Sequence, residues 1–155
     1  MSKLGEIILK KLSRDPHAGD YLHEGYERKH LDIDYNIKSM LSDFPDLSEI
    51  IIGKKILDVG CAGMVEIAAL IKLGAGSVDG IDIQLWEINH SEADKLCTGR
   101  GKMYIMDAAK MTFDDNTFDH AVSFLSFEHF HDPSKMLAET MRVVKPGGKI
   151  LITSS

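Results

Sequence analysis

Residues 55–64 read KILDVGCAGM, and this stretch constrains the fold more than any other. A short apolar run carrying one acid, Asp58, breaks into a turn of small residues, Gly60, Cys61, Ala62 and Gly63. A helix-compatible segment, Val65 to Leu73, follows at once. A strand that feeds a small-residue turn that feeds a helix is how an α/β sheet builds a ligand site. Backbone N–H groups without bulky neighbours can approach the ligand closely. A second predicted strand, Val78-Asp79-Gly80-Ile81, ends in Asp82. An acid at the tip of that strand is placed to accept hydrogen bonds from ribose hydroxyls.

The same strand, turn and helix rhythm continues to the last residue. Strands are predicted at about 55–59, 78–82, 102–106, 119–124 and 148–154, and helices at about 64–73, 86–97 and 133–144. The segment from Ala108 to Asn116 is too short for more than a helical turn. Alternation of this kind predicts an α/β chain with a doubly wound parallel sheet and right-handed crossovers. Residues 1–53 read differently, as a helical extension or lid before a core at 54–155. Leu4, Ile7, Ile8 and Leu12 are spaced for one face of a short helix over 3–13, and a second helix is predicted over 28–42. A further helical turn is predicted over 47–52.

Bulk properties narrow the partners. The formal charge is −6, which argues against a nucleic-acid surface. No apolar run approaches the roughly 18 residues that span a bilayer. Cys61 and Cys97 make no disulfide framework and read as free thiols of a reducing compartment, so the expected location is cytoplasmic.

Each predicted core strand ends in a polar or small residue: Asp58 to Gly60, Asp82, Asp107 with Ala108, and Ser123 to Glu128. In open parallel sheets the ligand lies outside these carboxyl ends, where strand order reverses. Taken in order, ILDVGC (56–61), GIDI (80–83), Asp107-Ala108, FDHAVS (118–123), FEHFHDP (127–133) and RVVKPGG (142–148) resemble the class I S-adenosylmethionine-dependent methyltransferases of small-molecule type. The resemblance covers about residues 54–155 and implies a Rossmann-like sheet with five strands present in the order 3-2-1-4-5. It implies S-adenosylmethionine as cofactor and a small-molecule methyl acceptor as partner. Asp58 and the turn of Gly60, Cys61 and Ala62 would support the methionine end of the cofactor. Asp82 would bind the ribose, Ile83 would pack on the adenine, and Asp107 with Ala108 would bind the adenine edge. Ser123 and Phe124 would lie near the methionyl part, with Glu128 and His129 beside the point of methyl transfer. His129 is the candidate base for an acceptor that must lose a proton.

The chain departs from that pattern twice. The family's Gly-x-Gly-x-Gly becomes Gly60, Ala62 and Met64, with Gly63 expected to take up the tight conformation one residue early. The resemblance implies two further strands after the fifth, which the sequence to Ser155 does not supply, so Lys149 to Thr153 is expected to form an open edge. A longer protein, an edge-paired homodimer or a minimal fold are the alternatives for that edge. A donor-binding module without catalysis is the alternative function. A nicotinamide-dependent oxidoreductase is disfavoured, because the first turn lacks Gly-x-Gly-x-x-Gly. His129, His131 and Asp132 make a weak metal pattern, and no metal is assigned. Trp86 reads as a packed aromatic, and Tyr21 and Tyr26 as candidates for a lid.

Overall fold

The computed structural model describes residues 7–11, 32–84 and 91–154. Its strands are β1 (Ile7–Lys11), β2 (Lys55–Val59), β3 (Ser77–Asp82), β4 (Gly101–Ile105), β5 (His120–Ser123) and β6 (Ile150–Ser154). The helices are α1 (Ile33–Asp43), α2 (Leu47–Ile51), α3 (Met64–Lys72), α4 (Ser91–Cys97) and α5 (Pro133–Val143). The sheet runs β1-β6-β5-β2-β3-β4 with every pairing parallel. Counted from β2, the core is the order 3-2-1-4-5 with helices on both faces, the Rossmann-like arrangement that the resemblance implies. Strand order reverses at β2, which lies between β3 and β5.

Side chains alternate across the strands and build two cores. Ile56, Val78 and Leu151 pack with α1 to α4, whereas Leu57, Ile81, Ile150 and Ile152 pack with Met136 and Val143 of α5. Helix α3 is apolar nearly all round, with Val65, Ile67, Ala68, Ala69, Leu70 and Ile71 buried. It lies between the sheet and helices α1 and α4. Burial of each such large aliphatic side chain is worth roughly 1.5–3 kcal/mol. Gly80 and Gly101 admit α3 so closely that an added Cβ would lie 2.6 Å from Ile67 Cδ1 and 2.9 Å from Ile67 Cγ2, respectively.

The turn before β6 has a steric origin. Gly147 holds φ +84°, and a Cβ on Gly148 would collide with the Asp119 carbonyl and the Val144 side chain. Arg142 of α5 ties down the connection from β4 to β5. It donates to the carbonyls of Met111 at 2.9 Å and Phe113 at 2.8 Å, and to Asp115 and Glu139, both at 2.8 Å.

Two expectations are corrected here. Residues 7–11 are strand, not helix, and pair in parallel with β6 from Ile7↔Ile150 to Lys11↔Ser154. That pairing also covers the edge of β6 expected to be open. A run of three apolar residues such as Ile7-Ile8-Leu9 suits either period, and the unpaired backbone groups of β6 decide between them. The predicted helix over 28–42 is found as Ile33–Asp43, capped by Asp32, whose side chain accepts from Tyr35 N–H at 2.9 Å. Tyr21, Tyr26 and Trp86 lie outside the described residues.

Candidate functional site

A cleft of about 1250 Å³ opens outside the carboxyl ends of β2 to β5, at the reversal of strand order, with α1 along one side. Its floor is the turn after β2. The N–H groups of Gly60 and Cys61 both donate to the carbonyl of Ile81, at 2.8 and 3.1 Å, which holds the turn against the tip of β3. Gly60 sits at φ +80° and Ala62 at φ +51°. The tight conformation expected at Gly63 is therefore taken by Ala62, and Gly63 is extended backbone at the start of α3. Asp82 stabilises this strained residue, because its Oδ2 accepts from Ala62 N–H at 3.0 Å. Its Oδ1 accepts from Gln84 N–H at 3.2 Å. A carboxylate has about four lone-pair sites, so Asp82 keeps acceptor capacity for a ligand.

Beside Asp82, Ile83 is 76% exposed within the cleft, a large apolar side chain that the core does not use. Asp107 stands at the end of β4, where its Oδ1 accepts from Ala109 N–H at 2.8 Å. Ala108 is buried against the second core.

The opposite wall is the loop after β5. Ser123 is buried and shares a hydrogen bond with Ser126, Oγ to Oγ, at 2.8 Å. Ser126 Oγ donates to the Val59 carbonyl at 3.1 Å. This relay pulls the loop over Gly60 so tightly that a Cβ there would lie 2.6 Å from Ser126 Oγ. Leu125 adopts φ +49° and donates its N–H to Thr153 Oγ1 at 3.0 Å. His129 lies in a 3-10 turn, Phe127–His129, and lines the cleft with its side chain exposed. Asp132 caps α5 by accepting from Lys135 N–H at 3.0 Å.

Electrostatically the floor is acidic. Asp58 is fully buried on β2, and neither of its carboxylate oxygens has a hydrogen-bond partner among the described residues. Burial, and then the charge of Asp82, push its carboxyl up to about 8. Glu66 on α3 lines the cleft, and burial followed by the charges of Asp58 and Asp82 holds it well above the ordinary carboxylate range. Burial pushes the Cys61 thiol up, which leaves it an unreactive packing group.

Residues 57–152 match the family described as Methyltransferase domain. The chain belongs to this methyltransferase family. Among its relatives, a ubiquinone biosynthesis O-methyltransferase of Aliivibrio fischeri is 31% identical over 104 residues, which are 66% of this chain and 44% of that one. Its counterpart in Coxiella burnetii is 34% identical over 106 residues, again 66% and 44%. The chain thus spans less than half the length of these curated relatives. A solved SAM-dependent methyltransferase of Methanosarcina mazei superposes with a TM-score of 0.54 at 29% identity, covering 70% of this chain and 56% of that one.

Of the residues singled out from this methyltransferase-family sequence, Gly60, Cys61, Ala62, Asp82, Ile83, Asp107, Ala108, Phe124 and His129 line the cleft. Asp58 and Ser123 do not: Asp58 lies buried on β2, and Ser123 acts through Ser126. Glu128 also stays off the cleft wall. Sequence reasoning missed Glu66, Ser126 and the α1 residues Tyr35 and Asn36, all of which line it. An acid in an otherwise apolar helix was the one signal available for Glu66.

Proposed function

We propose that the cleft binds S-adenosylmethionine and that the protein passes its methyl group to an O, N or C nucleophile of a small-molecule acceptor. The observation that carries this reading is Asp82. Its carboxylate is tied to the small-residue turn, keeps acceptor capacity and stands in the cleft beside the exposed Ile83. Those are a hydroxyl-binding group and an apolar face side by side, as a ribose joined to a flat base requires. Asp107 and Ala108 would hold the edge of the base. Gly60, Cys61, Ala62 and Phe124 would line the amino-acid arm, with the buried Asp58 and Ser123 behind them. The names of the curated relatives favour an oxygen acceptor.

When bound, the cofactor supplies an electrophilic methyl group on a cationic sulfur. The chain's own work is then positioning, since a rigid turn and a walled cleft convert a bimolecular encounter into a local one. His129, exposed on the cleft wall, would take a proton from an acceptor hydroxyl through an imidazole nitrogen. A cytoplasmic setting belongs to the same reading. Among the described residues no helix is long and apolar enough to cross a membrane.

Titration calorimetry with S-adenosylmethionine tests the binding step, and an absent heat signal with no competition by S-adenosylhomocysteine sinks it. A methyl-release assay over hydroxyl, amine and carbon-acid acceptors tests turnover. A donor-binding module without catalysis is the second reading, favoured by Ser126 and Phe130 packed over Gly60. Binding with no methyl release from any acceptor selects it.

A further inference from the structure

Among the described residues, Ala62, Asn116 and Leu125 hold positive φ without being glycine. Asparagine enters the left-handed region readily, and Ala62 is small and tied to Asp82. Leu125, at φ +49°, is bulky, and its conformation is an outlier. Such strain persists only where the surroundings over-determine it, and it gathers at functional sites. The restraint here comes from β6. Thr153 Oγ1 accepts from Leu125 N–H at 3.0 Å, and the next residue, Ser126, is bonded to Ser123 and to the Val59 carbonyl. Thr153 is fully buried, in a strand whose other buried residues are Ile150, Leu151 and Ile152. A valine would fill that place with the same shape, so what the threonine adds is an acceptor for Leu125.

Among the described residues none of β6 lines the cleft, whereas Leu125, Ser126, His129 and Phe130 do. The course of the chain after Leu125 is set by that residue's backbone angles. An extended or right-handed Leu125 would redirect the Phe127–His129 turn away from Gly60, against which Ser126 and Phe130 pack. Phe124, one residue earlier, is anchored separately, edge-on to Phe44 with ring centroids 6.2 Å apart. The Thr153 hydroxyl therefore stands behind the cleft wall and governs the part of it that begins at Leu125.

We propose that Thr153 is a positioning residue for methyl transfer: its hydroxyl holds Leu125 in the left-handed conformation and so aims His129 and Phe130 at the acceptor's side of the cleft. The inference rests on the S-adenosylmethionine reading and deepens it. A misplacement of about 1 Å can cost on the order of a hundredfold in rate, so a hydroxyl outside the cleft has leverage on the reaction. Donor binding is a separate matter, because the turn after β2 is held by Ile81 and Asp82 and not by Thr153.

Thr153→Val removes the hydroxyl and keeps the shape, and Thr153→Ser keeps the hydroxyl. In Thr153→Val the Leu125 amide is expected to exchange with solvent at least tenfold faster and the His129 imidazole resonances to shift. The Gly60 and Ala62 amides stay within twofold, as does the S-adenosylmethionine dissociation constant by calorimetry. In a methyl-release assay over hydroxyl, amine and carbon-acid acceptors, kcat falls at least tenfold with the donor KM unchanged, and Thr153→Ser restores it to within threefold. Wild-type exchange at Leu125, an undiminished kcat or a serine that does not rescue overturns the inference. So does a loss shared equally by donor affinity and the Gly60 amide, which marks a general structural role. Thr153→Ala replaces a valine variant that does not fold, and failure of both to fold also overturns it. Wild-type protein that binds no S-adenosylmethionine sinks the proposed function and this inference together. Wild-type binding without turnover selects the donor-binding module and removes the positioning role. Wild-type turnover that Thr153→Val leaves intact sinks this inference alone.

Discussion

Two loops face each other across the cleft, and they are held in different ways. The turn after β2 is fixed by backbone. The Gly60 and Cys61 N–H groups go to Ile81, and Ala62 N–H goes to a carboxylate whose position β3 sets. The loop after β5 is fixed by hydroxyls. Ser126 and Thr153 bond across elements that are distant in sequence, and Ser123 braces Ser126 from three residues away. A turn held mainly by backbone bonds leans on one side chain only, Asp82 at Ala62, whereas a hydroxyl-fixed loop depends throughout on removable groups. The first loop is therefore suited to hold a constant ligand part, and the second to be the variable wall.

The largest expected effect probes the acid behind the backbone-fixed turn. The folded state holds the Asp58 proton up to about pH 8, whereas the unfolded chain releases it near the ordinary carboxylate value of 3.8. Stability is thus fully present below the unfolded value and falls as pH rises toward about 8, by on the order of several kcal/mol. Asp58→Asn removes this part of the slope, leaving that of Glu66, whose shift has the same sign. Urea melts of both proteins at pH 5 and 8 measure it, and identical pH slopes would refute it.

Gly60→Ala couples the two loops directly. It strains a residue at φ +80° and drives a methyl group into Ser126. A loss of about 2–4 kcal/mol is expected in chemical denaturation, partly restored by adding Ser126→Gly. An unshifted midpoint would mean that the loops do not touch.

Asp82→Ala should weaken S-adenosylmethionine by about 1–3 kcal/mol, through lost charge-assisted hydrogen bonds. Calorimetry reads this, and an unchanged dissociation constant removes Asp82 from the site. The smallest effect is Ser126→Ala, about 1 kcal/mol of stability from the broken relay. Its donor affinity should hardly move if the backbone-fixed turn is the constant half, and a large affinity loss would reverse that assignment.

Legibility in the sequence follows the same division. Asp82 was readable because a strand period, a small-residue turn and an acid at a strand tip are local signals. Ser126 was not, since its meaning depends on the carbonyl of Val59, far away in the chain. Gly63 misled for a related reason. Glycine is the residue expected at a strained position, yet Asp82 reaches Ala62 and holds that residue in the left-handed region. Glu66 was passed over because an acid in a first helical turn has an ordinary explanation, the helix dipole. Its place on the cleft wall is visible only in three dimensions.

By itself the sequence determined the core strands, their parallel direction and the acids at their tips, because apolar period and turn chemistry act over a few residues, and the strand order followed from the family resemblance. The tertiary structure alone decided that Ile7–Lys11 becomes a strand on the edge of β6, and that a hydroxyl relay draws one loop over Gly60. It also decided that Asp58 is buried with both carboxylate oxygens unpartnered, and that Glu66 and Asp82 line the cleft. Those outcomes depend on which unpaired backbone groups, carbonyls and charges lie across a gap between elements, and no local pattern encodes what stands on the far side.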